Sequence, residues 1–209
     1  MEVIRSVDTI RNKTRITFES GWQVWVLNHQ KLPFPLSEGT EVDRASFEKT
    51  ILLMQYPSAL DRAVAMLARR PHSKGEISRK LESAHFDNEV IGLVLYKLEK
   101  EKLLNDLDFA RQWVESRIRK YGVNRIRQEL RIKDISPDII DAVLETATEE
   151  EQLQQAAAFV RRKLKTFRAS DDQRKIFRNT VAALVRRGFS WETSRKAFRM
   201  VSDTIPEDE

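Results

Sequence analysis

One pattern of apolar positions occurs three times along this chain of 209 residues. Every apolar position of the first copy recurs 49 residues later, and a weaker third copy follows after a further 54 residues. Such a repeat is typical of one supersecondary unit used serially, because a single unit of this length cannot bury its apolar face alone. The three copies are Ile77, Leu81, Phe86, Val90, Ile91, Val94 and Leu95; Ile126, Leu130, Ile135, Ile139, Ile140, Val143 and Leu144; and Thr180, Leu184, Phe189, Thr193, Ser194, Ala197 and Phe198.

Helix-capping residues divide each copy into helices. In the first copy, Ser73 and Glu76 form a capping-box sequence, and Asp87 is a favoured cap for the helix that follows. In the second copy, Ser136 and Pro137 are a favoured cap and first-turn pair. An additional helix precedes each pair of capped helices. The sequence therefore predicts three tandem repeats of three helices each.

The same kind of turn is predicted between the second and third helices of every repeat. The residues before the apolar positions 86, 135 and 189 are His85, Asp134 and Gly188. These three residue types tolerate the left-handed backbone conformation that ends many helices. A structural role in a shared turn accounts for all three, so no chemistry is assigned to His85 or Asp134.

The N-terminal part of the chain has a different composition from the repeats. Residues 14–20 and 22–27 are rich in β-branched and aromatic side chains and predict a β-hairpin. Residues 3–10 are a candidate third strand, and residues 42–55 have the apolar spacing of a helix. Because an isolated hairpin is only marginally stable in water, we expect it to pack against that helix or the first repeat. A separate helix is predicted at about residues 58–71.

The predicted fold class is mainly α: an elongated, curved array of three tandem three-helix repeats, preceded by a small N-terminal β-hairpin and helix. We divide the chain into an N-terminal extension, 1–56, three repeats, 57–106, 107–148 and 149–202, and an acidic tail, 203–209. An extended array of this kind predicts that function lies on a long surface and not in a single pocket.

Positive charge is concentrated in the third repeat. The whole chain has a net charge of +5, whereas residues 153–202 contain 13 basic and 3 acidic side chains. An asymmetry of this kind favours a polyanionic partner. The chain has no cysteine, which excludes disulfide and thiolate chemistry, and no apolar run near the roughly 20 residues of a membrane span. With no signal-peptide pattern at the N-terminus either, we expect a cytoplasmic protein that does not bind a membrane.

A catalytic function is poorly supported. His29, His72 and His85 are isolated in the sequence, and no cluster of histidines or carboxylates has the spacing of metal ligands. The six glycines include no phosphate-binding loop. We therefore expect no enzyme activity, no metal and no cofactor.

The best candidate binding site is a basic surface on the third repeat. Arg161, Lys165 and Arg168 share one face of a predicted helix, and phosphate recognition needs cations arranged along such a face. The alternative is a merely solvated face, with the arginines at a helix end stabilising its negative pole. The other members of this surface are Arg162, Arg174, Lys175, Arg178, Arg186 and Arg187.

A second basic cluster lies in the middle repeat, and its members are Arg117, Arg119, Lys120, Arg125, Arg127, Arg131 and Lys133. Arg127 and Arg131 lie one helical turn apart and could extend the basic stripe. The same repeat is net acidic, so pairing within the protein is about as plausible as binding. Four tryptophans, Trp22, Trp25, Trp113 and Trp191, could stack on bases, but most are expected to be structural, with Trp113 in the core and one of Trp22 and Trp25 exposed.

Five short segments between residues 104 and 189 resemble, in their order and spacing, the RecX family, bacterial regulators of the RecA recombinase. The resemblance covers about residues 57–201, and the N-terminal hairpin and helix resemble an extension found in longer members. The segments are Leu104-Asn105-Asp106, Phe109-Ala110, Tyr121-Gly122, Glu129-Leu130 and Arg187-Gly188-Phe189.

The resemblance implies a non-enzymatic protein that binds the RecA nucleoprotein filament, along its helical groove. It implies inhibition of filament growth, ATP turnover, strand exchange and repressor cleavage in recombination and the SOS response, with DNA as a secondary partner. A monomer is expected. Two alternatives remain open: a stand-alone nucleic-acid-binding helical array, which the charge of the third repeat favours, and a structural adaptor whose basic residues pair internally.

Overall fold

The computed structural model describes residues 1–11, 13–27, 37–168 and 172–202, and within these ranges the protein is mainly helical, with four strands and nine helices. The predicted acidic tail and His29 lie outside the described residues. The elements are β1 (Glu2–Ile10), β2 (Lys13–Phe18), β3 (Gln23–Leu27), β4 (Glu41–Val42), α1 (Arg44–Leu67), α2 (Lys74–Glu82), α3 (Asn88–Lys100), α4 (Asp106–Arg117), α5 (Val123–Ile132), α6 (Pro137–Leu144), α7 (Glu149–Leu164), α8 (Gln173–Arg186) and α9 (Trp191–Ser202).

The N-terminal strands form one antiparallel sheet in the order β3-β2-β1-β4. The predicted hairpin is β2 and β3, joined by a turn at Gly21 with φ +86°, and β1 confirms the candidate third strand. Ile16 and Phe18 on β2 are completely buried and pack in one cluster with Phe47 and Ile51 of α1. This contact with α1 confirms that the hairpin is stabilised by packing against the helix.

The prediction of two separate helices, 42–55 and 58–71, is wrong. A single helix, α1, runs for 24 residues with Pro57 inside it, so the predicted segment boundary at residue 56 falls within one helix. A proline inside a helix costs about 3 kcal/mol, because it lacks an N–H group and its ring crowds the preceding turn. The Pro57 ring is on the exposed side, whereas a buried stripe that includes Ile51 and Ala59 continues without interruption on the opposite side. This continuous burial explains why the helix does not end at the proline.

The shared turn is confirmed in all three repeats. His85, Asp134 and Gly188 have φ angles of +63°, +57° and +88°, respectively. In each repeat the next residue donates its N–H to a carbonyl five residues earlier, as from Phe86 to Leu81 at 3.2 Å. This is the hydrogen-bond pattern of a Schellman helix end, so the three turns have a common structural cause.

The repeated apolar positions form the cores of the repeats. Leu81, Leu130 and Leu184, which occupy the same repeat position, are all completely buried. The third repeat has polar residues at three of these positions, Thr180, Thr193 and Ser194, and two of them, Thr180 and Ser194, are buried. The buried Ser194 hydroxyl donates to the Ser190 carbonyl at 2.7 Å, whereas the buried Thr180 hydroxyl has no hydrogen-bond partner among the described residues. The core of the third repeat therefore contains a buried hydroxyl whose hydrogen bonding is not satisfied by any described residue.

The chain divides into two compact units, Met1–Asn105 and Asp106–Glu209. The first contains the sheet and the first repeat, and the second contains the other two repeats. No helix within the described ranges is both long enough and apolar enough to cross a membrane.

A candidate polyanion-binding cleft

Two glycines bring the second and third repeats into backbone contact. The Gly122 N–H donates to the Arg187 carbonyl at 2.9 Å, and the Asn124 N–H donates to the Gly188 carbonyl at 3.2 Å. A Cβ atom at Gly122 would lie 2.3 Å from the Gly188 carbonyl carbon, and one at Gly188 would lie 2.4 Å from the Arg125 backbone nitrogen. Only residues without a side chain permit this approach. The contact therefore places the start of α5 directly against the end of α8.

A cationic cleft of about 470 Å³ lies beside this glycine contact, within the second compact unit. Helix α7 contributes one aromatic and one basic side chain. The last turn of α8 and its C-cap contribute two arginines, and α5 contributes another arginine, next to an aromatic residue that precedes the helix. The cleft residues are Tyr121, Arg125, Phe159, Lys163, Ala183, Arg186 and Arg187.

Two of the arginines in the cleft are held against aromatic rings. The Arg125 guanidinium lies 4.1 Å from the centre of the Tyr121 ring, and the Arg187 guanidinium lies 4.5 Å from the centre of the Phe159 ring. Cation–π contacts of this kind fix the orientation of the guanidinium plane. Arg187 also donates to the Lys120 carbonyl, at 3.5 Å. These contacts order the basic side chains before any partner binds.

The cleft retains positive charge that the protein itself does not neutralise. Arg125 is paired with Glu129 at 3.1 Å. Among the residues that the structure describes, Lys163, Arg186 and Arg187 form no ion pair with a carboxylate. Three cations within one concave surface attract phosphates or carboxylates, because a cleft concentrates the electrostatic field of its lining groups.

Arg186 and Arg187 of the predicted basic surface line the cleft, as does Arg125 of the second basic cluster. Arg162 is exposed three residues after Phe159, which places it on the side of α7 nearest to the cleft. Arg161 and Lys165 are exposed on roughly the opposite side of α7 from Phe159 and Lys163. The predicted basic face of α7 is therefore present but points away from the cleft.

The other predicted cations of the third repeat are exposed at some distance from Arg186. Arg174, Lys175 and Arg178 lie in the first half of α8, at least two helical turns before it. Arg168 is exposed beyond the end of α7. These residues surround the cleft on the third repeat but do not form it.

Arg127 and Arg131, the two cations predicted to extend the basic stripe, differ from each other. Arg127 forms an ion pair with Asp141, which is the internal pairing that the acidic residues of this repeat suggested. Arg131 is exposed on the same helix. Neither residue lines the cleft.

Three of the four tryptophans pack within the fold, whereas Trp191 at the start of α9 is 57% exposed. Trp113 is half-buried against the core of the second repeat, and its indole N–H donates to Glu129 at 3.1 Å. The expectation that Trp22 or Trp25 is exposed is wrong, since both are half-buried. Trp22 stacks on Phe18 with ring centres 4.5 Å apart, and Trp25 stacks on His85 at 4.4 Å.

Four of the cleft residues, Tyr121, Phe159, Lys163 and Ala183, were not predicted from the sequence to be site residues, and Arg125 was predicted only as a member of the second basic cluster. One signal in the sequence was available: Phe159 and Lys163 are four residues apart and share a helical face. The role of Gly122 is visible only in the structure, where its φ of −73° shows that no left-handed turn requires a glycine there. A glycine that no turn requires indicates a close approach of two backbones.

Comparison with known proteins gives one consistent family. Models of the RecX first, second and third three-helix domains match residues 59–98, 105–144 and 149–198. Regulatory protein RecX of Chlorobaculum tepidum is 35% identical over 146 residues, which cover 69% of this chain and 88% of the relative. Regulatory protein RecX of Deinococcus radiodurans is 31% identical over 175 residues, covering 84% and 83% of the two chains.

Solved structures agree with this fold. A crystal structure of a regulatory protein RecX superimposes with a TM-score of 0.64 at 23% identity and covers 97% of this chain and 100% of its own. A second, RecX from Lactobacillus salivarius, has a TM-score of 0.64 at 19% identity and covers 70% of this chain and 96% of its own. Three matching domain models, together with relatives above 30% identity along most of their length, decide the assignment. The chain belongs to the RecX family of regulatory proteins.

Proposed function

We propose that the protein is a non-enzymatic regulator that binds the RecA–DNA filament and limits filament extension, ATP hydrolysis, strand exchange and repressor cleavage in recombination and SOS repair. It acts in the cytoplasm as a monomer, and DNA is a secondary partner. The observation that carries the proposal is the cationic cleft, in which Lys163, Arg186 and Arg187 have no carboxylate partner among the described residues. The relatives named regulatory protein RecX support the regulatory class.

A nucleoprotein filament suits such a cleft because it presents DNA phosphates and protein carboxylates along a continuous surface. Arginine binds both kinds of oxygen with two parallel hydrogen bonds, and lysine binds them as a point charge. Ordered arginines lose less conformational freedom on binding, and Arg187 is already held over Phe159. The cleft therefore favours a rigid, regularly spaced anionic partner.

The second candidate function is stand-alone binding of single-stranded nucleic acid. Two aromatic side chains, Tyr121 and Phe159, lie beside the cations, and aromatic rings are common stacking platforms for bases. In this structure, however, Arg125 and Arg187 lie over these same rings. A base could stack there only after displacing an arginine, which is why we favour the filament.

The proposal is tested by RecA ATP hydrolysis on single-stranded DNA, with this protein added below the RecA concentration. Wild type should inhibit at low ratios. The variant with both Lys163→Glu and Arg186→Glu reverses two charges in the cleft, one on α7 and one on α8. It should need at least about tenfold more protein for the same inhibition, because each reversed contact costs of the order of 1 kcal/mol or more.

A matched control carries Arg161→Glu and Arg178→Glu. It makes the same change in net charge on the same two helices, at exposed positions outside the cleft. The control should inhibit within about threefold of wild type, and circular dichroism should show equal helix content for all variants. Equal loss of inhibition in both double variants would refute the cleft as the site. Absence of RecA inhibition by wild type, together with tight and salt-dependent DNA binding, would favour the second candidate.

A further inference from the structure

An apolar groove of about 750 Å³ lies between α1 and α3 in the first compact unit. Its side chains come from one stripe of each helix. Several of them are unusually exposed for apolar residues: Leu53 is 69% exposed, Tyr96 is 64% exposed and Leu93 is 45% exposed. The groove residues are Leu52, Leu53, Tyr56, Pro57, Leu93, Tyr96, Lys97, Lys100 and Glu101.

The apolar character of this surface is specific to the first repeat. Val90, Val94 and Leu98 form the buried face of α3, so Leu93 and Tyr96 make a second apolar stripe that the core does not use. At the positions equivalent to Leu93 and Tyr96, the second repeat has Ala142 and Glu145, and the third repeat has Lys196 and Arg199. Packing common to the repeats therefore does not account for this stripe, and apolar patches on a protein surface commonly mark interaction sites.

Pro57 adds a polar feature to the apolar groove. A proline has no N–H, so it gives no helical hydrogen bond to the carbonyl of Leu53, four residues earlier. Leu53 and Pro57 both line the groove. A hydrogen-bond acceptor without its usual helical donor therefore lies on the same stripe of α1 as the apolar contacts.

The charge at the groove is positive. Lys97 and Glu101 balance each other with an ion pair of 2.7 Å, and this contact raises the pKa of Lys97, chiefly through the hydrogen bond from Lys97 to Glu101. Lys100 has no such carboxylate partner among the described residues. Lys49 is exposed one helical turn before Leu53 on the same side of α1. An occupant with acidic side chains would complement both lysines.

We propose that this groove binds an amphipathic helix of another protein, with apolar residues at every third or fourth position and acidic residues beside them. A helix laid into a groove between two helices buries one apolar stripe, which is the complement of the stripe that α1 and α3 expose. The acidic residues pair with Lys49 and Lys100. This interaction is a second binding function of the chain, separate from the cationic cleft and independent of its role with RecA.

The test uses two labelled peptides, each roughly 18 residues long. Both present leucines at the stated spacing, with glutamates beside the leucines in one and lysines in the other. Fluorescence anisotropy with the full chain should show the glutamate peptide binding at least about tenfold more tightly. Leu53→Ser combined with Tyr96→Ser should weaken its binding by a similar factor, whereas Val64→Ser, at an exposed position on α1 outside the groove, should not.

Thermal unfolding of each variant establishes that the fold is intact, and Leu93→Ser offers a second groove variant if the double substitution unfolds the first unit. Failure of the glutamate peptide to bind, equal binding of both peptides, or binding that the groove substitutions leave unchanged would each overturn the proposal. Concentration-dependent self-association that these substitutions abolish would also overturn it, because the occupant would then be a second copy of the chain. None of these outcomes depends on RecA, so the proposal can fail while the cleft function stands.

Discussion

The contact between Gly122 and Gly188 should make Gly122→Ala strongly destabilising. Alanine can adopt the backbone conformation of Gly122, with φ −73° and ψ 159°. Any decrease in the free energy of unfolding must therefore come from the added methyl group. That Cβ would lie 2.3 Å from the carbonyl carbon and oxygen of Gly188 and from the Phe189 nitrogen. Ordinary carbon contacts are about 3.5–4.0 Å, so the two backbones would have to separate by more than about 1 Å.

The size of the effect follows from two contributions. Overpacking of this kind typically costs about 1–3 kcal/mol. The separation also stretches the two hydrogen bonds that cross the contact, from Gly122 to Arg187 and from Asn124 to Gly188. Each contributes about 0.5–1.5 kcal/mol. Together these give an expected loss of about 2–6 kcal/mol.

Urea unfolding followed by circular dichroism measures the loss, and hydrogen exchange of α5 and α8 assigns it to the second compact unit. Gly92→Ala is the matched control: it lies inside α3, nothing lies within 4 Å of its added Cβ, and alanine should stabilise that helix by about 0.5–1 kcal/mol. A loss below about 0.5 kcal/mol for Gly122→Ala would show that the two repeats do not approach as closely as the structure indicates.

Three further predictions concern stability. Leu130→Ala should lower the free energy of unfolding by about 2–5 kcal/mol, because Leu130 is completely buried; a urea-unfolding loss well below 1 kcal/mol would contradict its core position. Thr180→Val should raise it by about 1 kcal/mol, because it removes a buried hydroxyl without a hydrogen-bond partner among the described residues; destabilisation in the same assay would show that the hydroxyl is satisfied. The pKa of His72 is held below its usual value of 6.5, chiefly by burial, so the unfolded chain takes up the proton first as the pH falls; stability should therefore decrease from about pH 7.5 to about pH 5.5. His72→Gln should flatten this dependence, and an unchanged slope would contradict the assignment.

The repeats could be predicted from sequence because they depend on local signals. The apolar spacing that ends in Leu81, Leu130 and Leu184 depends on helical periodicity, and the left-handed turns depend on a residue type that tolerates positive φ. Both signals recur in each repeat, so each copy supports the interpretation of the others. The continuity of α1 through Pro57 could not be predicted in this way, because it depends on burial supplied by β-strands and helices elsewhere in the fold.

The residues of the cleft could likewise be predicted from the sequence only in part. Charge counting placed the basic surface in the third repeat, and Arg186 and Arg187 do lie in the cleft. Arg125 and Tyr121 belong to the second repeat and reach the cleft only through the backbone contact at Gly122. A contact between residues so distant in sequence leaves little trace in local periodicity. The sequence therefore indicated the charge of the site but not the residues that assemble it.

Binding to the RecA filament is tested directly by comparing the affinity of the wild-type protein for three partners at one salt concentration: single-stranded DNA, DNA-free RecA, and RecA filaments assembled on the same DNA. If the filament is the target, binding to the filament should be at least about tenfold tighter than binding to bare DNA or to RecA alone, and charge reversal at Lys163 and Arg186 should remove most of that advantage. Binding to bare DNA as tight as to the filament would contradict the central claim and identify a nucleic-acid-binding protein instead.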